Sequence, residues 1–475
     1  MTVANDQQRL RGRLGVVGLV FTVLAYNAPL AVMAGFAPLV IGLGNASGAP
    51  TTFLVLGVLL MLLAAGLVAM SRYMTSPGAF YSYIATGVGK APGLGAAFIA
   101  FSAYFLIAAG SLIFGGIVVG SLIHDTLGGP DMPWWFWSIF MGVATSTFSM
   151  LNVDLSAKVL GVALVAEMIV VLGWQAAVGI DHGIGGIHWS SFTPSAFGEG
   201  NLTFALVFGI LCFTGFEAVA VFREETNDPI RTVPRATYAA VLIIALMYSL
   251  GTLMYITAFG PAAAVETSAV DPTGSFVGSV QDYFGTAVVD VIAVMLCTSS
   301  FAGILAAQNV SSRYLYALGK DGVLPKALGE VHPKHGSPRN AAAVVAVGVA
   351  IVVAIPAFAG TAGVQAYAIM TGIGGFCLLA LMTATAVSIV AFFRSAGHDA
   401  TLFQSLIAPV LAFLGLATIF VMALRNMEAV TGLAPTGARI ALALLVALVL
   451  GGVTLALYLR RKSPATYARI GQQDV

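Results

Sequence analysis

Apolar residues run along this chain in long stretches, and the polar and charged positions gather in short intervals between them. One helical bilayer crossing needs about 20 apolar residues. On that measure the sequence predicts twelve spans, over 14–43, 52–72, 93–123, 134–152, 156–180, 201–222, 235–259, 285–316, 341–359, 364–394, 401–424 and 437–460. Several exceed one bilayer thickness, which predicts tilt or helix continuing past the lipid. An even count puts both termini on one side.

The basic residues choose that side. With the N-terminus inside, every Lys and Arg lies on the inner face except Arg425 and Arg439. The positive-inside rule fixes orientation on far less asymmetry. The resulting plan has cytoplasmic tails at 1–13 and 461–475, a ten-span core over 14–394, and a final pair of spans over 401–460. Arg9, Arg11 and Arg13 lead straight into a long apolar stretch with no small-residue cleavage site after a short core. No cleaved leader is expected. A plasma membrane location follows, and the Ala/Gly-rich composition suggests a bacterial inner membrane.

Composition sharpens this picture by exclusion. Charged residues are 9% of the chain and hydrophobic residues 59%, where a soluble domain carries about 25% charged residues. A net charge of +1 gives no footprint for nucleic acid. Cys212, Cys297 and Cys377 all lie in apolar stretches, which excludes a disulfide framework and a cysteine zinc site. His182, His188 and Glu199 in the outer loop 181–200 have irregular spacing and read as a solvated loop, so no metal or cofactor is expected. The inner stretch from Gly319 to Arg339 is too short for a domain.

Two spans carry breaks. Span one contains Tyr26-Asn27-Ala28-Pro29, then Gly35 and Pro38, and proline removes a donor and disrupts the turn before it. Span six contains Gly209 and Gly215, followed by Glu217 and the charged run from Arg223 to Asp228. Hydrocarbon tolerates broken helix only around a cavity. The two weakened spans are five apart, which predicts inverted repeats over about 14–180 and 201–394 with a substrate site between them at the midplane.

Of 20 acidic residues, only Glu167, Glu217 and Asp290 fall within spans. A carboxylate at lipid depth is costly and marks a proton or ion pathway by default. Glu167 lies eleven residues after Ser156, about 16 Å along a helix, which places it near mid-membrane. Asp290 falls near the outer end of span eight and reads as interfacial.

Four segments together resemble the amino acid–polyamine–organocation transporters. Phe213-Thr214-Gly215-Phe216-Glu217 with Glu225, Asn227, Pro229, Arg231 and Pro234 resembles that family's GFE…E-x-N-P-x-R-x-x-P run, with Asp228 lengthening the N-P step by one residue. Ser76-Pro77-Gly78-Ala79-Phe80-Tyr81-Ser82-Tyr83 is similar to its P-x-G-G-x-Y-x-Y turn, with Ala79 for the second glycine. Ser312-Arg313 through Asp321-Gly322-Val323-Leu324-Pro325, continued by His332-Pro333-Lys334 and Ser337-Pro338-Arg339, resembles its span-eight exit. Ser156-Ala157-Lys158-Val159 opens span five in the same manner. The resemblance covers roughly residues 10 to 400. It implies an all-α membrane protein with a five-plus-five inverted repeat of LeuT type, two C-terminal helices, and discontinuous helices 1 and 6.

The resemblance implies transport of amino acids or related amines by alternating access, with proton-coupled symport ahead of exchange without a proton, and a proton ahead of sodium as coupling ion. Some proton-coupled members carry a lysine where Glu167 stands. Glu167 is then a candidate proton carrier, a sodium ligand or a structural hydrogen-bonding group, and Glu217 a gate, a proton acceptor or a tether. Substrate contacts are expected from Asn27, Ala31, Val32 and Met33 of span one, from Cys212, Phe213, Thr214 and Gly215 of span six with Phe216 as an aromatic lid, and from Tyr104 and Ser299. The family's G-x-G is replaced by Ala31, Val32 and Met33, which leaves open how a substrate carboxylate is held and keeps amines without a carboxylate in play. A receptor would need a signalling domain. An enzyme would need a nucleophile–base pair or metal ligands at one depth, and the six histidines all fall in loops or at span ends. The oligomeric state is not encoded in these signals.

Overall fold

The computed structural model describes residues 15–74, 80–151, 157–217, 219, 226, 228–332, 337–395 and 397–471, with backbone only for 157–160. Ser76, Pro77, Gly78 and Ala79 of the second-span turn lie outside the described residues, as do Ser156, Glu225, Asn227, Pro333, Lys334 and the tail 1–13.

Among the described residues almost all regular structure is helix. The first span is two helices, α1 (Val16–Asn27) and α2 (Pro29–Gly35). Between them Ala28 is left-handed, with φ 50 and ψ 73, and Pro29 takes the first position of α2, where its missing donor costs nothing. A short Ala37–Leu39 turn and a π-turn over Val40–Asn45 lead into α3 (Ala49–Ser71). Then come α4 (Phe80–Gly87), α5 (Lys90–Ser121), α6 (Trp134–Leu151) and α7 (Ala157–Gly186).

The first part of span six is a short helix. α8 (Leu202–Leu211) is capped by Asn201 and stops at a turn over Cys212–Gly215. Gly209, read above as a soft point, lies inside α8. A Cβ there would stand 2.5 Å from Leu56 Cδ1, so this glycine serves the packing of α8 on α3. Asp228, the inserted residue, caps α9 (Pro229–Phe259) by accepting from the Arg231 amide.

Two short helices, α10 (Pro261–Val270) and α11 (Ser275–Phe284), occupy the stretch between the predicted spans seven and eight. The chain closes with α12 (Thr286–Lys320), α13 (Arg339–Phe358), α14 (Gly363–Ser395), α15 (Ala408–Arg425), α16 (Pro435–Lys462) and α17 (Pro464–Arg469). Ten described helices are long and apolar enough to cross a membrane. The predicted spans four and six, now α6 and α8, are not among those ten.

Small residues let the helices close up, as is usual in lipid. A Cβ on Gly110 of α5 would meet Thr371 of α14 at 2.5 Å, and one on Gly57 of α3 would meet Ala245 of α9 at 2.5 Å. α5, α12 and α14 form one packed group, and α3 and α9 pair in another, beside α1. Near the C-terminus α17 is tied down where Lys90 Nζ donates to the Ala468 carbonyl and lies over the Tyr467 ring.

Candidate functional site

The two interrupted segments meet at Asn27. Its amide Nδ2 donates to the Cys212 carbonyl, and its Oδ1 accepts from the Tyr248 hydroxyl of α9. A helix end leaves carbonyls without intrahelical partners. Asn27 satisfies one of these at the end of α8, and Thr214 Oγ1 satisfies the Leu211 carbonyl at 2.7 Å. Gly215 then turns the chain with φ 106, a conformation L side chains rarely adopt. A Cβ at this position would stand 2.7 Å from Tyr26 Cδ1, so only glycine lets span six approach α1 here.

Glu217 holds this turn from the inside. One carboxylate oxygen accepts from the Gly215 amide at 3.0 Å and the other from the Tyr104 hydroxyl of α5. The Tyr104 ring stacks on Tyr314 of α12 at 5.7 Å between centroids, and Tyr314 in turn lies against Tyr81 of α4. Two residues named separately from the sequence, Tyr104 and Glu217, are thus direct partners.

Glu167 holds the other break. It lies on α7, only 5% exposed, and its Oε2 accepts from the Leu30 amide at 3.3 Å. Leu30 is in the first turn of α2, where amides lack intrahelical acceptors and the helix dipole favours negative charge. Beside the carboxylate is a cavity of about 310 Å³ lined by Ala28, Leu164, Glu167, Ser299 and Phe301 among others. Ser299 therefore joins Glu167 at the seam between α1, α7 and α12.

The remaining predicted residues fall in varied places. Ala31, Val32 and Met33 form continuous helix in α2, with the Val32 amide bonded to the Ala28 carbonyl at 3.0 Å. Met33 turns toward α9, where its Sδ would meet a Cβ on Gly251 at 2.7 Å. The Cys212 thiol bonds back to the Phe208 carbonyl at 3.6 Å, and Phe213 is fully buried. Phe216 is fully buried and faces Phe80 of α4 at 6.5 Å. Phe36, just after α2, faces Tyr367 of α14 at 5.5 Å and Phe208 at 6.4 Å. Asp290 is exposed in the first turns of α12. Glu199 is engaged by the Ser47 hydroxyl at 2.8 Å.

Tyr248 and Tyr367 went unread in the sequence, and Tyr314 was read only as part of the span-eight run. Each places a phenol inside an apolar helix, and a buried hydroxyl usually finds a partner. That was the available signal for Tyr248.

Residues 14–453 match the family described as Amino acid permease. The chain belongs to that family. The permease is 24% identical over 352 residues to the low-affinity putrescine importer PlaP of Escherichia coli (strain K12), a match covering 71% of this chain and 74% of PlaP. It is 27% identical over 190 residues to the branched-chain amino acid permease BcaP of Bacillus subtilis (strain 168), covering 40% of this chain and 38% of BcaP, so that match spans well under half of the relative. Among solved structures the permease is similar to MhsT in complex with L-phenylalanine, with a TM-score of 0.56, 13% identity, and coverage of 87% of this chain and 100% of that one. That likeness carries the LeuT-type fold alone.

Proposed function

We propose that this permease moves amino acids or related amines across a bacterial inner membrane by alternating access, coupled to protons, with both termini cytoplasmic. Membership of the amino acid permease family supports the transport class. The names of its relatives support both a neutral amino acid and a diamine as substrate types. The broken segments at Ala28 and Cys212–Gly215 are the moving parts, and the substrate sits between them.

The observation that carries the coupling is the Glu167–Leu30 contact beside the 310 Å³ cavity. An ionised Glu167 accepts from the Leu30 amide and draws α2 toward α7. A protonated Glu167 is neutral and holds α2 less strongly, which frees that half-helix to move. Glu217 works as a latch. Its bonds to Gly215 and Tyr104 fasten the turn of span six to α5, and must part when the inner path opens.

The test is uptake into proteoliposomes, using labelled branched-chain amino acids and putrescine, an inward proton gradient, no sodium, and wild type beside Glu167→Gln. Glutamine still accepts from the Leu30 amide but does not titrate. Gradient-driven uptake lost in Glu167→Gln, with counterflow exchange retained, is the expected result. Uptake that needs preloaded substrate and ignores the mutation would make the protein an exchanger and leave Glu167 structural.

A further inference from the structure

One large groove lies away from the site described. It runs between α3, α9 and the π-turn Phe403–Ile407 that opens α15, with a volume of about 650 Å³. Its floor exists because of small residues. Gly57 and Ala245 approach so closely that a Cβ on Gly57 would stand 2.5 Å away, and Ala65 adds little bulk. The walls are large and apolar: Val58, Leu242, Leu246 and Phe403 are all well exposed. The groove extends along α3 from Leu54 to Ala65, about 16 Å of helix, or half of a hydrocarbon core of about 30 Å. That is the depth filled by an acyl chain of one leaflet.

The polar groups gather at one end. Tyr238 and Gln404 line the groove there. Arg235 precedes Tyr238 by one helical turn on α9, and Arg72 follows Ala65 by two turns on α3, so each lies on the groove's own stripe. Both arginines are exposed, and neither has an ion pair among the described residues. The neighbouring Arg231, by contrast, faces Asp228 at 3.9 Å. Asp399 reaches this region through its backbone amide, which donates to Tyr73. The arrangement is an apolar slot one leaflet deep with two arginines at its mouth that have no ion pair among the described residues.

We propose that this groove binds an anionic phospholipid, one acyl chain along α3 and α9 and the phosphate between Arg72 and Arg235. Arginine suits a phosphate because its planar fork donates two parallel bonds. A neutral headgroup gains the slot but little from the cations. The lipid would sit where α15 leans on the α3–α9 pair, as a wedge between the C-terminal helices and the core.

Native mass spectrometry of the detergent-purified full chain, incubated with equal amounts of phosphatidylglycerol and phosphatidylcholine, tests this directly. Wild type should retain phosphatidylglycerol preferentially. Arg72→Gln with Arg235→Gln should weaken that retention by about fivefold per arginine, about twenty-five-fold together. Leu246→Trp, at a lipid-exposed wall, should block retention while keeping both arginines, and so decides the question if the arginine variant fails to elute as a monodisperse species. Equal retention of the two lipids, or unchanged phosphatidylglycerol in both variants, would overturn the site. Loss in the arginine variant with Leu246→Trp unaffected would also overturn it, because the chain would then lie elsewhere.

Discussion

The Asn27 amide and the Cys212 carbonyl, 185 positions apart in the chain, join the two interrupted spans side chain to backbone. The same side chain takes the Tyr248 hydroxyl on its other face, so three helices converge on one residue.

Asn27→Ala should therefore be costly. It strands the Cys212 carbonyl and the Tyr248 hydroxyl together, at roughly 1–3 kcal/mol for each group left buried and unpaired. Thermal unfolding in detergent should show a clear loss of stability. Tyr248→Phe in the Asn27→Ala background removes one of the stranded groups, and the double variant should recover part of the loss. No recovery would mean that the pair is not coupled.

Glu167 allows a separation of structure from charge. Glu167→Ala leaves the Leu30 amide without its acceptor and should destabilise by roughly 1–3 kcal/mol. Glu167→Gln keeps an acceptor and should melt close to wild type. If both variants melt alike, the bond to α2 contributes nothing to stability.

The two glycines of span six should respond very differently to alanine. Gly215→Ala meets both an unsuitable φ of 106 and the Tyr26 ring at 2.7 Å, and should cost at least about 3 kcal/mol and abolish uptake. Gly209→Ala meets only the tip of a flexible leucine, in a helix that alanine favours, and should cost about 1 kcal/mol. Unfolding temperature and counterflow measured on both variants check the ranking, and equal effects would remove the special role of Gly215.

Tyr104→Phe removes the donor that fastens Glu217 to α5 and leaves the Gly215 amide as its partner. The latch should loosen. A cysteine introduced at Thr214 should be labelled from the inner side several-fold faster in the Tyr104→Phe background. An unchanged rate would return the pair to packing alone.

Much of this arrangement is readable along the chain, because lipid imposes a simple rule on length and apolarity. Pro29 marked the first break within one residue, since its missing donor acts locally. Glu217 was visible because a carboxylate is rare at that depth. What could not be read were contacts set by three-dimensional approach. Nothing in the run around Asn27 says that its partner is Cys212. Gly209 and Gly215 look alike as letters, yet one packs against a leucine and the other turns the backbone. α10 and α11 escaped notice because short helices between spans lack the long apolar signal.

Ala28 adds a consequence of its own. A left-handed residue with a Cβ is unfavourable by about 1–2 kcal/mol, whereas glycine would accept either hand equally. The bend thus persists only while Pro29, the Asn27 bonds and the Leu30 bond hold it. It behaves as a loaded spring rather than a loose joint. The hydrogen bonds that flank this residue come from the end of α8 on one side and from α7 on the other.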